Sequence, residues 1–333
     1  MALKRLVTAC LAFISVICIA GCSFFDDVVH LKNNNEAILA SDQNRMLLQA
    51  LAEEYNASQS KYKVWLAEEN AGKEQKQPDI YLLEFSKLVN LEQQNKLLKF
   101  EIPETAILPE AFKSQNGYWY GVFYDPAVLL VNQNFARRAG QENIRTWEDL
   151  LKIRGIRIAL ENLSDTESTR SFLYAFASHW GEDNALAYLR ELHKNIPQYA
   201  KFPFTSIRMA ATGDADIAIT RSSFIFQYLE NSFPAYVAKP VEGTPVNLYG
   251  VAIAAESGEN MAAQDFCRWL LTEKEIKRIL LQQNTGLETL MHDKTDTQKL
   301  WLNTAYLQQE KADKLINKWL ETVRFKIKAE DIQ

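Results

Sequence analysis

The sequence predicts an α/β fold built from two open sheets flanked by helices, and three observations carry that prediction. Short apolar strands alternate with helix-length amphipathic segments through the globular part, as happens where helices cover the faces of largely parallel sheets. The alternation comes in two blocks, separated by the aromatic and β-branched runs 117–124 and 128–132, which read as long strands on either side of Asp125-Pro126. The chain is also long enough, at 333 residues, to bury two ordinary cores.

The first block opens with the apolar strand 36–40, followed by Ser41-Asp42 and a helix that places Leu47, Leu48, Leu51, Ala52 and Tyr55 on one face, with Ser41 as its expected N-cap. Strands at 61–67 and 78–83 complete a βαβ beginning, and a helical segment at 86–100 leads past Pro103 and Pro109 into the two long strands. A helix then ends near Gly140, and Thr146-Trp147-Glu148-Asp149-Leu150 starts another, with a hydroxyl to cap it and acids in its first turn. The second block follows: strand 157–160, helices 168–180, 183–193 and 205–211, and strand 215–220. An extended run at 246–254 precedes a tail that is helical from 259 onward, ending in an amphipathic helix with Leu315, Ile316, Trp319, Leu320 and Val323 on one side.

The N-terminus fixes the expected compartment. Lys4 and Arg5 precede an apolar run, 6–19, that is shorter than the about 20 residues needed to cross a bilayer, and it closes on Ile19-Ala20-Gly21-Cys22. This pattern resembles the signal of bacterial lipoproteins. The resemblance implies that residues 1–21 are removed and that Cys22 is diacylated, an anchor to the membrane, with the polar stretch up to residue 35 as a tether. The 37 basic and 42 acidic residues give a formal charge of −5, and the absence of basic runs argues against a nucleic-acid partner. Cys10 and Cys18 leave with the leader, so Cys267 is the one thiol left unmodified; no internal disulfide can form, and its apolar neighbours predict a packing role.

Five short motifs then occur in a fixed order: Gly117-Tyr118-Trp119-Tyr120-Gly121-Val122; Val131-Asn132-Gln133-Asn134-Phe135 with Ala139-Gly140; Thr146-Trp147-Glu148-Asp149-Leu150; Ala211-Thr212-Gly213-Asp214-Ala215-Asp216-Ile217-Ala218; and Tyr249-Gly250-Val251-Ala252-Ile253 with the segment 260–266. Together they resemble the extracellular solute-binding proteins of bacterial ABC importers, in particular the class of ferric-ion, thiamine and sugar binders. The resemblance implies a type II periplasmic-binding-protein fold: two α/β lobes joined by a two-crossover hinge, closing on a small solute that is passed to ABC permease subunits. Lobe one would comprise 36–131 plus 250–333 and lobe two 132–249, with crossings near Val131-Asn132 and Leu248-Tyr249 and a monomeric chain.

In open α/β sheets a ligand lies beyond the carboxyl ends of the strands, where helix N-termini present free N–H groups. That rule selects Ser41 and Asp42, Glu84, Ser168 and Thr169, and Arg221 with Ser222. Each hydroxyl can equally be a helix cap. Tyr124 and Tyr249 are candidates for stacking against a solute, although aromatic side chains on strands also fill cores. Arg221 suits a carboxylate or phosphate, whereas Asp165 and Glu167 nearby would repel one, so an organic anion and a sugar or polyol both stay open. The ferric members of the family need adjacent tyrosines where this chain has Ser223-Phe224, so that substrate does not transfer. The four histidines lack zinc spacing. No G-x-S-x-G, P-loop, G-x-G-x-x-G or H-E-x-x-H motif occurs, so the expectation is a binder without cofactor rather than an enzyme; a surface scaffold or signalling lipoprotein of the same fold is the alternative, and a secreted hydrolase a further one.

Overall fold

The computed structural model describes residues 34–67, 77–141, 143–229, 233–291 and 296–325. The expected leader, Cys22 and the tether as far as residue 33 lie outside them, as do His30 and His292.

Strands β1 (Glu36–Ser41), β2 (Lys63–Leu66) and β3 (Ile80–Glu84) form a parallel set with β1 in the middle. The strict alternation of β3 buries Ile80, Leu82 and Glu84 and leaves Tyr81 and Leu83 half-buried, the pattern of a strand with one face on a core. Helix α1 (Arg45–Ser58) covers this sheet with the five residues the periodicity selects. Its N-cap is Asn44, however, whose Oδ1 accepts the Met46 N–H at 2.8 Å; Ser41 instead donates to the Leu82 carbonyl at 2.6 Å and ties β1 to β3. Helix α2 (Phe85–Gln93) leaves directly from β3, and the short β4 (Leu97–Leu98) follows it.

The two runs expected around Asp125-Pro126 are a single strand, β5 (Trp119–Asn132), buried along its whole length. After it come helix α3 (Gln133–Ala139), ended by Gly140 in the left-handed region, and helix α4 (Asp149–Lys152), whose N-cap is Glu148 rather than the expected Thr146, although the Thr146 hydroxyl accepts the Asp149 N–H at 3.1 Å. The second sheet then adds β6 (Ile158–Leu160) and, after helices α5 (Glu167–Trp180), α6 (Glu182–His193) and α7 (Pro203–Thr212), the parallel β7 (Ile217–Arg221). Helix α8 (Ser222–Leu229) and β8 (Ala235–Ala238) lead into the second long strand, β9 (Thr244–Ala254), followed by α9 (Met261–Thr272), α10 (Glu275–Gln282), the two-residue strands β10 (Glu288–Thr289) and β11 (Leu300–Trp301), and α11 (Gln309–Trp319). Cys267 is a buried free thiol inside α9, in line with its packing role.

The strand order is β2-β1-β3-β9-β5-β7-β6, and β5 changes partners within its length. Residues 119–126 pair with β9; from Ala127 the strand pairs with β7 and then also with β8. Pro126 lacks an N–H, and it sits where the strand passes from one set of partners to the next, which is how a proline is accommodated inside a central strand. Two large hydrophobic cores result, one containing Tyr124, Val246 and Leu248 and the other containing Ala127 and Ile219, and a smaller third one, with Val128, Leu130 and Ala218, packs on the opposite face of the second sheet. The changes of partner fall at 125–127 in β5 and at 244–246 in β9, where pairing with β11 gives way to pairing with β5, and neither long strand breaks there. The last helix also departs from expectation. Leu315, Ile316, Trp319 and Val323 pack into the second core, against residues such as Tyr199, rather than into the first.

Candidate functional site

The carboxyl ends of β1, β3, β6 and β7 supply the polar groups between the two cores. Arg221, the last residue of β7, is 4% exposed, and its guanidinium donates to the carbonyls of Asp125 and Pro245, both at 3.2 Å, and of Ser168 at 3.3 Å. Those three carbonyls belong to β5, β9 and the first turn of α5, so one side chain joins both hinge strands to the second lobe. Burial lowers the Arg221 pKa, opposed by the charges of Asp125 and, further off, Tyr249, Glu161 and Glu84.

Three buried acids surround that guanidinium. Burial lifts Glu84 to about 7, although the Ser86 hydroxyl donates to it and favours its charge. Asp125 is lifted to about 6 by burial, against the pull of Arg221 and of Ser223, whose hydroxyl and N–H donate to its two oxygens at 2.6 and 3.1 Å. Glu161, which follows β6 directly, is 8% exposed and is lifted to about 7 by burial, with Arg221 opposing and Asp165 reinforcing. No hydrogen bond or ion pair holds its carboxylate among the described residues. Two further acceptors nearby lack partners: Thr220 Oγ1 and Asn247 Oδ1, both on residues 5% exposed. Asn247 Nδ2 donates to Ser168 Oγ at 3.3 Å.

Of the residues selected from sequence, Glu84, Ser168, Thr169, Arg221 and Tyr249 converge on this cluster. Tyr249 pairs with Glu84 across β3 and β9, packs on Phe123, and its phenol is held above its usual pKa by burial and then by Asp125. Thr169 completes a capping box with Thr166, which is the true N-cap of α5, two residues before Ser168. Asp42 lies toward the rim, bonded to Lys87 Nζ at 2.9 Å. Ser222 is buried at the start of α8, where the neighbouring Ser223 makes the bond to Asp125. Tyr124 belongs to the first core and donates to Glu288 at 2.9 Å, and Glu288 in turn pairs with Lys239. Sequence reasoning missed Asp125, Glu161, Thr220 and Asn247. Glu161 had a signal: it closes the apolar run Ile158-Ala159-Leu160 as Glu84 closes β3 and Arg221 closes β7.

The cavity bounded by Ala127, Glu161, Ser168, Thr169, Thr220 and Arg221 measures about 20 Å³, the space of roughly one water. Beside it, Glu167 meets Lys87 across the rim at 3.7 Å. Among the described residues, no group of three or more His, Cys, Asp or Glu is arranged to hold a metal ion, and no helix is long and apolar enough to cross a membrane.

An architecture of two sheets joined through one long shared strand, β5, with charged groups gathered between them, is that of a two-lobed solute receptor. The chain belongs to the bacterial extracellular solute-binding protein family, whose model matches residues 44–301. Members of that family bind solutes outside the cytoplasm and are not enzymes. An uncharacterized protein of Haemophilus influenzae is 28% identical over 233 residues, 65% of this chain; the match spans 66% of that relative's length. Among solved structures, the periplasmic binding protein AfuA from Actinobacillus pleuropneumoniae, with fructose-6-phosphate bound, superposes with a TM-score of 0.63 at 21% identity, over 87% of this chain and 99% of that one. The ferric iron-binding protein A of Mannheimia haemolytica, in an open conformation, gives 0.66 at 18% identity over 87% and 98%. An extracellular solute-binding protein from Bordetella parapertussis gives 0.70 at 15% over 87% and 99%. At these identities the likeness concerns the fold.

Proposed function

We propose that this chain is a lipid-anchored receptor, held at the membrane through Cys22, which closes its two lobes on a small polar solute and delivers it as a monomer to an ABC importer. The observation that carries the reading is the convergence of Glu84, Glu161 and Arg221 from strand ends with Asp125 and Tyr249 from within β5 and β9 into one buried cluster. Buried polar groups are costly unless satisfied, and a solute with hydrogen-bonding groups satisfies those the protein leaves open. Of the two solute classes the sequence leaves open, the polyol fits better than the organic anion, because the unsatisfied groups include Asn247 Oδ1 and the Glu161 carboxylate, both acceptors.

The small cavity supports a second reading, a scaffold of the same fold whose cleft stays shut. A thermal-shift screen of the full chain against sugars, polyols and organic anions separates the two. Stabilisation by several degrees without turnover is expected of the receptor, and no shift from any compound by an intact fold is expected of the scaffold. The anchor is tested separately: Cys22→Ser should move the protein from the membrane fraction to the soluble one.

A further inference from the structure

Resting on the receptor reading, we infer that the solute carries an organic ammonium group and that Glu161 is the residue that recognises it. Glu161 is 8% exposed, sits at the end of β6 facing the cleft, and has no hydrogen-bonding or ionic partner among the described residues. A neutral polyol would satisfy acceptors but leave the charge of this carboxylate unmatched, and a phosphate or carboxylate would add to it. An ammonium group supplies both the counter-charge and up to three donors, enough for Glu161 together with the open acceptors Asn247 Oδ1 and Thr220 Oγ1.

Charge at the cluster points the same way. Three buried acids, Glu84, Asp125 and Glu161, face one guanidinium, and that guanidinium is already taken up by three backbone carbonyls. The groups acting on Glu161 are Arg221 and Asp165; those acting on Glu84 are Ser86, Glu167, Asp42, Lys87 and Arg221; those on Asp125 are Arg221, Ser223, Glu288 and Tyr249. Negative charge stays in excess when Arg221 and Lys87 are both counted.

The test is isothermal titration of the full chain at pH 7 with three panels: glucosamine, ethanolamine and putrescine; their uncharged counterparts glucose, ethylene glycol and 1,4-butanediol; and fructose 6-phosphate. At least one ammonium probe should bind at least about 10-fold more tightly than its neutral counterpart, and Glu161→Gln should weaken that probe by about 10-fold or more, the scale of a hydrogen bond to a charged group. Asn247→Ala provides an independent variant and should weaken the same probe, and the melting temperature of each variant reports whether it is folded. Equal binding of neutral and ammonium probes, or tight binding that Glu161→Gln leaves intact, would overturn the ammonium assignment while leaving the receptor standing. Absence of binding across all three panels would overturn both.

Discussion

The ammonium of Lys87, on the first lobe, lies 3.7 Å from the carboxylate of Glu167, on the second, while also pairing with Asp42 of its own lobe at 2.9 Å. Glu167 is the first residue of α5, so this contact joins the rim of one lobe to the helix that carries Ser168 and Thr169 of the other. Lys87 and Glu167 are 41% and 63% exposed, and exposed pairs contribute about 1 kcal/mol or less to stability. Such an increment is small for folding but large for a balance between open and closed lobes, where 1.4 kcal/mol is about a tenfold shift in population. Lys87→Ala should therefore leave the unfolding midpoint nearly unchanged and lengthen the distance between spin labels placed on the two lobes. Raised salt should do the same to the wild type. An unaltered distance distribution in both cases would remove Lys87 as a closure element.

The buried acids give a pH dependence with a definite sign. Glu84, Asp125 and Glu161 have folded-state pKa values near 7, 6 and 7, raised above the unfolded values by burial. Between the unfolded and folded values the native chain binds more protons than the unfolded one, so their contribution is fully present below the unfolded pKa and is lost as pH rises through the folded values. Thermal stability from these groups should fall between pH 5 and pH 8. Glu161→Gln, which cannot ionise, should melt a few degrees higher than the wild type at pH 8, with the gap closing toward pH 5. A gap of the same size at both pH values would contradict a burial-driven shift at this position.

Gly243 enters β9 with φ at +123°, and a Cβ there would meet Trp301 Nε1 at 2.5 Å and the Lys299 carbonyl at 2.8 Å. The carbonyl of Gly243 also accepts Trp147 Nε1 at 2.9 Å. Gly243→Ala combines an unfavourable backbone with a clash between buried groups and should lower stability by about 2 kcal/mol or more, read from the denaturation midpoint. A neutral result would mean that the turn at 240–243 can rearrange freely.

Trp319 is fully buried at the end of α11, edge-on to Tyr199 at 5.9 Å in the second core. Trp319→Ala should cost about 3–5 kcal/mol. Because the loss falls in the second core, urea unfolding should become biphasic, with second-lobe tryptophans such as Trp147 changing first. A single transition at the wild-type midpoint would place α11 outside that core.

Much of the fold could be read from residue patterns. Strands β1, β3, β6 and β7 and the buried faces of α1 and α11 follow from periodicity, which reports burial within one element. The errors arose where burial depends on partners distant in sequence. Asp125-Pro126 looks like a break because a proline removes a ladder bond, yet here it marks a change of partner inside one strand. Ser41 and Ser168 look like caps, but Asn44 and Thr166 do the capping, because the chain begins each helix at a different residue than composition alone indicates. At the site, the rule that favours carboxyl ends of strands located Glu84 and Arg221. It would have located Glu161 had the strand been extended by one residue. Asp125 and Asn247 could not be found that way, since they sit in the middle of continuous strands and acquire their role from facing each other across the crossing.

The interleaving of the two cores has a consequence for how the chain folds. The first core draws on residues from Ala37 through Leu302, and the second on residues from Ala127 to Val323. Each is therefore sealed by contacts between segments about 200 or more positions apart, so collapse of neighbouring elements alone completes neither, and refolding should wait on these long-range pairings rather than on local helix formation.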